Sequence, residues 1–180
     1  VGDRLTSSSK PGVAMRATIA ATACGALLAA CASGPDLARL DLIRALESSR
    51  RGRTVLEEAS RDADPLVRRA ACHALGALGD PLGARALVER VHDPVLGVVH
   101  AAIEELGSLT DADATATTTL LEALERPDAS TRLLAARALG FRRAASAREP
   151  LLVMAAGDGV PAVRAAAATA LGTLGSARSG

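Results

Sequence analysis

The side chains best placed to do chemistry are His73, His100 and Glu104, with Cys72 next to His73. The two histidines and the glutamate offer nitrogen and oxygen donors of the kind a metal accepts. Their spacing argues against it. No two histidines stand one helical turn apart, and neighbouring packed helices are separated by about 8–10 Å, so the set does not converge on one ion. Glycine-rich phosphate loops, a nucleophile elbow and a close pair of catalytic carboxylates are also absent from the sequence. Cys72 sits in a helical pattern with only Arg68 and Arg69 as nearby cations, so it reads as a small apolar residue. The expectation from these residues is a protein that is not an enzyme and holds no metal or cofactor.

The segments that carry them are repeated. Asp64 to Gly76 returns in altered form at Asp93 to Gly107, Asp128 to Gly140 and Asp158 to Gly172. The endings set the register: Ala74-Leu75-Gly76, Glu105-Leu106-Gly107, Ala138-Leu139-Gly140 and Ala170-Leu171-Gly172. Successive glycines lie 31, 33 and 32 residues apart. Self-similarity at this period belongs to a stacked solenoid. In the first copy Val67, Ala70, Ala71, Ala74, Leu75 and Leu78 make one apolar face at the helical period. Each copy is preceded by a shorter helical stretch: near Arg53 to Arg61, around Leu87 to Val91, around Leu120 to Leu124, and near Ala147 to Ala156. Thr115 and Thr117 to Thr119 weaken the start of the third of these, because β-branched residues lose rotamer freedom in a helix. The turns carry Asp62 to Pro65, Asp93-Pro94, Pro127-Asp128 and Gly157 to Gly159. Strand signals are missing.

The fold class is therefore all-α, an α-solenoid of about four helical hairpins plus an N-terminal capping helix. The cap is Asp36 to Ser48, opened by Pro35-Asp36, in which Arg44-Ala45-Leu46 echoes His73-Ala74-Leu75. Its polar residues suit a terminal layer. The repeat domain spans residues 36–175, and 176–180 reads as a disordered tail.

Composition agrees. Apolar residues make up 49 % of the 180, yet Phe141 is the sole aromatic. Thin helical layers can close with Ala, Leu and Val where a compact globule uses aromatic rings. The first thirty residues hold three of the 21 basic and one of the 20 acidic residues, so the remainder is near neutral. No nucleic-acid footprint follows from that balance.

The recurring Asp-Pro-x-Val-Arg-x-Ala-Ala-x-x-Ala-Leu-Gly resembles the short HEAT-like repeats of the bilin-lyase type. Tetratricopeptide and ankyrin signatures are missing. The resemblance implies that the second helices line a concave face that binds another protein. It also implies a ladder between layers, in which Arg68, Arg132 and Arg164 pair with turn carboxylates such as Asp64, Asp128 and Asp158, or Asp62 and Asp93. Val99 stands where the second layer needs its Arg, so the ladder is expected to break there. One residue further on, the outward stripe reads Arg69 and His73, His100 and Glu104, Leu133 and Arg137, Ala165 and Thr169. The first six are the expected interaction surface, with His73 beside Glu104 and Glu104 beside Arg137. Hydroxylases built from such repeats carry His-Glu dipeptides as iron ligands, and this sequence has none. A bilin lyase would need a pocket for a large conjugated ligand, which makes a lyase-like or cofactor-handling accessory the alternative function.

At the other end, Arg16 precedes an apolar run, Ala17 to Ala30, too short for a bilayer-spanning helix of about 20 residues. A basic flank, an apolar stretch and small residues describe a signal peptide, here residues 1–30, with the start at Val1 or Met15. Leu28-Ala29-Ala30-Cys31 resembles a bacterial lipobox. The resemblance implies a diacylglycerol on Cys31, cleavage before it, and a lipidated tether over residues 31–35. The protein would then be a membrane-anchored lipoprotein of the cell envelope, facing the periplasm or exterior, with the lipid bilayer and an unidentified protein as its partners. Cys24 would be lost, Cys31 acylated, and Cys72 left with no disulfide partner.

Overall fold

The computed structural model describes residues 37–46, 52–79, 81–109 and 114–176. The export segment, the Cys31 tether and residues 177–180 lie outside them. Among the described residues nine α-helices follow in order: α1 Leu37–Leu46, α2 Arg53–Ala59, α3 Pro65–Leu78, α4 Pro81–Arg90, α5 Leu96–Ser108, α6 Ala114–Ala123, α7 Ala129–Phe141, α8 Arg148–Gly157 and α9 Pro161–Ser176. A short 3-10 turn at Ala145–Ala147 leads into α8. No strand occurs among the described residues. Helix α9 continues through Ser176, one residue into the stretch read as tail.

The helices form two layers. The second helices α3, α5, α7 and α9 stack side by side, and α1 packs on α3 as the first member of that layer. Behind them α2, α4 and α6 form the other layer, with α8 backing α9. The chain is an α-solenoid of four hairpins and a capping helix.

Local chemistry sets the boundaries. Asp64 caps α3 by accepting the Leu66 amide at 2.9 Å, and Pro65 opens the helix where no amide donor is needed. Gly79 ends it at φ 60°, the left-handed conformation glycine adopts without a Cβ clash. Asp128 caps α7 through the Thr131 amide at 2.7 Å. The threonines of α6 do not delay that helix. Thr118 and Thr119 turn their hydroxyls back onto the Ala114 and Thr115 carbonyls at 3.1 and 2.9 Å, a helical bonding mode open to β-branched hydroxyls.

The repeated triplet is where layers meet. Leu75, Leu106 and Leu139 are fully buried. The glycine after each lets the next second helix approach: a Cβ on Gly140 would lie 2.7 Å from Cα of Ala170, and one on Gly107 would lie 2.8 Å from Cβ of Ala138. Burial on α3 extends beyond the apolar face to Cys72 and Arg68, because that helix has neighbours on several sides.

Candidate functional site

The ladder fixes the turns that frame the site. Arg68 forks onto Asp93 of the next hairpin, Nε to Oδ2 at 2.8 Å and Nη2 to Oδ1 at 2.9 Å. Its Nη1 donates to the Asp62 and Ala63 carbonyls of its own turn. Arg132 repeats this with Asp158, at 2.8 and 3.1 Å, and with the Arg126 and Pro127 carbonyls. Asp64 and Asp128, expected as rungs, are helix caps instead, because they lie at the N-cap position rather than two residues earlier. The rung carboxylates Asp93 and Asp158 precede positions 99 and 164 by six residues, a register that also contains Asp62. In the third hairpin that place holds Arg126, and the second helix before it offers Val99. No Arg–Asp rung crosses the middle junction among the described residues. His100 Nε2 approaches Asp128 Oδ1 there at 3.8 Å, too long for a hydrogen bond.

The rungs shift the acids they hold. Burial alone would raise the Asp93 carboxyl, but Arg68, the Val95 amide and Arg90 hold it below the usual carboxylate range. The Arg132 hydrogen bonds, then the Val160 amide, do the same to Asp158. Asp128 is also lowered: burial opposes its charge, while Thr131 and His100 favour it. The Asp93 bond raises the Arg68 guanidinium against the opposing effect of burial. Burial pushes the Cys72 thiol up to about 12, which leaves it protonated and poorly nucleophilic at neutral pH.

Between the second helices lies a groove. Its larger hollow, about 580 Å³, is lined by Arg44 of α1, Arg69 and His73 of α3, and His100 and Glu104 of α5. A second hollow of about 240 Å³ continues past Glu104 to Leu134, Arg137 and Phe141 of α7. Of the six stripe residues, the structure brings Arg69, His73, His100, Glu104 and Arg137 to this groove. Leu133 packs half-buried against the core. His73 pairs with Glu105, not Glu104, at 2.8 Å. The reason is local: Glu105 stands where the later layers have Ala138 and Ala170, beside the Gly76 notch, so its carboxylate reaches back along α3. Glu104 and Arg137 share the second hollow without forming an ion pair.

Three residues escaped the sequence reading. Arg44 could have been found, since it lies in register with His73. Phe141 follows the third Ala-Leu-Gly triplet and is 73 % exposed; its position just past the notch was the available signal. Arg142 carried no repeat signal. Its Nη1 donates to the Leu106 and Leu109 carbonyls at 2.8 and 2.7 Å, tying α7 to the end of α5, and burial lowers its pKa.

Among the described residues no group of three His, Cys, Asp or Glu side chains could hold a metal, and no helix is long and apolar enough to cross a membrane. The arrangement offers recognition chemistry: two basic helical edges, one acidic residue between two hollows, and an exposed ring at the end.

The same fold is found in other proteins. Human deoxyhypusine hydroxylase, solved with glycerol, matches with a TM-score of 0.63 and 28 % identity over 72 % of this chain, which spans 45 % of that chain. The complex of CpcE and CpcF of phycocyanin lyase from a Nostoc species matches with a TM-score of 0.64 and 22 % identity, covering 97 % of this chain and 70 % of that one. Less than half of the hydroxylase's length is therefore represented here. No curated protein matches the chain by sequence. The profile of HEAT repeats matches residues 25–107 and 117–179, and the chain belongs to that family.

Proposed function

We propose that this protein is a non-catalytic scaffold or assembly factor that binds another protein along the groove of its second helices, while a lipid on Cys31 holds it in a bacterial cell envelope. The observation that carries the binding role is Phe141. It is the chain's one aromatic ring, it serves no core, and it stands 73 % exposed at the lip of a groove lined by charge. Aromatic anchors ringed by polar residues are the usual energetic centre of a protein interface.

The test places a photo-crosslinking residue at position 141 in the full chain expressed in a bacterial host. A discrete crosslinked protein, lost when Glu104→Arg and Arg137→Glu are combined, supports the groove. Crosslinking indifferent to that charge reversal rejects it. The anchor has its own test, intact mass beside a Cys31→Ser variant. A mature form beginning at Cys31 with added acyl mass, absent from the variant, supports tethering. An unprocessed chain would overturn the tether.

A second reading, a lyase-like or cofactor-handling accessory, is favoured by the likeness of almost the whole chain to phycocyanin lyase subunits. A visible absorption band in the protein purified from its own host would support it. A colourless, metal-free preparation would favour the scaffold.

A further inference from the structure

Half of the charge on the groove is matched within the chain. Arg44 has Asp41 at 3.7 Å, His73 is bonded to Glu105 at 2.8 Å, and His100 faces Asp128 at 3.8 Å. Three charged side chains are left over. Arg69 of α3, Glu104 of α5 and Arg137 of α7 are all exposed. None of them has an ion-pair or hydrogen-bond partner among the described residues.

These three follow the groove in order. Arg69 and Glu104 line the larger hollow, and Glu104 and Arg137 line the smaller one. Each belongs to a successive second helix, so the unmatched charge reads plus, minus, plus from α3 to α7. One turn beyond Arg137 on the same helix stands Phe141, which also lines the smaller hollow. Alternating sign is selective, because a segment in the wrong register or of the wrong charge order meets like charges.

We propose that the groove takes an extended segment of the partner protein with an acidic residue at each end, a basic residue between them, and an apolar residue beside the acid nearest Phe141. The acids would meet Arg69 and Arg137, and the base would meet Glu104. Packed helices about 8–10 Å apart and a strand advancing about 3.3 Å per residue put one charge at every third position of the segment. This occupant presupposes the groove reading above and adds its chemistry.

The probe is a fluorescein-labelled peptide, Leu-Glu-Ser-Thr-Lys-Ser-Thr-Glu-Leu, whose charges read the same from either end. It is titrated at low salt with the full chain and followed by anisotropy. Saturable binding is expected. It should weaken at least about tenfold in a chain carrying Arg69→Glu, Glu104→Lys and Arg137→Glu together, since three attractions become repulsions. Circular dichroism should be unchanged, because all three side chains are exposed. A second peptide with every charge inverted should prefer this variant to the parent. Equal binding of the two peptides by the parent chain overturns the proposal. So does preference for an Ala-rich helical peptide carrying the same charges about six residues apart, the spacing a helix would need.

A short peptide can bind too weakly to follow, so the same nine residues are also fused after Gly180 through a Gly-Ser linker, which raises their effective concentration toward the millimolar range. The fusion should raise Tm, lose the rise in the triple variant, and regain it when the fused charges are inverted. No rise, or a rise indifferent to charge, overturns the proposal. A charge-sensitive crosslink from position 141 with no discrimination between the peptides would sink this occupant alone. Absence of that crosslink would sink the groove reading with it.

Discussion

The junction between α3 and α5 and the junction between α5 and α7 solve one packing problem in two ways. The first is pinned at the turn, where Arg68 chelates a nearly buried Asp93. The second has Val99 and Arg126 at the corresponding places and carries no Arg–Asp rung among the described residues. It is pinned at the opposite end, where Arg142 takes the last carbonyls of α5. The junction of α7 with α9 has both devices, the Arg132–Asp158 rung and a Thr173 hydroxyl on the Gly140 carbonyl at 3.0 Å. Leucine burial and glycine contact are common to all three. Stacking is thus driven by apolar burial, and polar contacts decide which end of a layer is held in register. A buried ion pair adds little net stability over a good apolar fit, which is why one junction can do without it.

Breaking the first junction should have the largest effect. Arg68→Ala leaves the Asp93 carboxylate buried with only the Val95 amide at 2.9 Å and Arg90, Nη1 at 3.6 Å, to hold its charge. Removing one partner of a buried pair costs about 3 kcal/mol, measurable by urea denaturation; a loss below about 1 kcal/mol would show that water reaches Asp93 freely. Arg68→Val together with Asp93→Ala, which removes both partners and leaves the first junction without a rung, should recover most of the loss. The pair also predicts acid sensitivity. Folding holds the Asp93 and Asp158 carboxyls below their usual range, so their stabilisation is complete above the unfolded value of about 3.9. It is lost as pH falls through the folded values. Urea midpoints measured from pH 5 downward should fall less steeply for Asp93→Asn than for the parent.

The second junction should break at its other end. Arg142→Ala strands the Leu106 and Leu109 carbonyls and is expected to cost about 2 kcal/mol. Hydrogen exchange should then quicken at the start of the segment after α5, while α3 is unaffected. Close approach is tested by Gly140→Ala, whose methyl would press on Ala170 backbone at 2.7 Å. Overpacking of this kind costs roughly 2 kcal/mol, against a gain of about 1 kcal/mol expected from helix propensity alone at an open position such as Gly172.

Much of this was legible in the sequence. The 31- to 33-residue spacing of the Ala-Leu-Gly endings states the number of layers, because each layer needs one leucine plug and one notch. The Val99 break in the ladder was readable for the same reason. The identity of the rung acid was harder to read. Asp62 and Asp64, or Asp93 alone, all lie in turns, and only the fold shows that Asp93 reaches back to the Arg of the preceding layer while Asp64 caps its helix. Glu105 was hidden by its register, since a residue in an alanine position is expected to point inward; the Gly76 notch leaves its carboxylate a path to His73. Arg142 was illegible because its contacts join residues 33 and 36 apart and occur in one hairpin only.

The smallest expected effect separates the two junctions most directly. Val99→Arg with Arg126→Asp writes the missing rung into the middle junction. Each change alone should destabilise, Val99→Arg by placing an unpaired cation in a fully buried site. Together they should return stability to within about 1 kcal/mol of the parent, since Coulomb attraction and desolvation nearly cancel. The double-mutant cycle then isolates a coupling energy of about 2 kcal/mol. A coupling near zero would mean that Arg142 already fixes the two layers in a register that holds the turns apart, so that the rung failed for want of reach rather than for want of charge. Repeating the cycle on Arg142→Ala distinguishes these cases, because freeing the far end lets the turns close and the coupling appear.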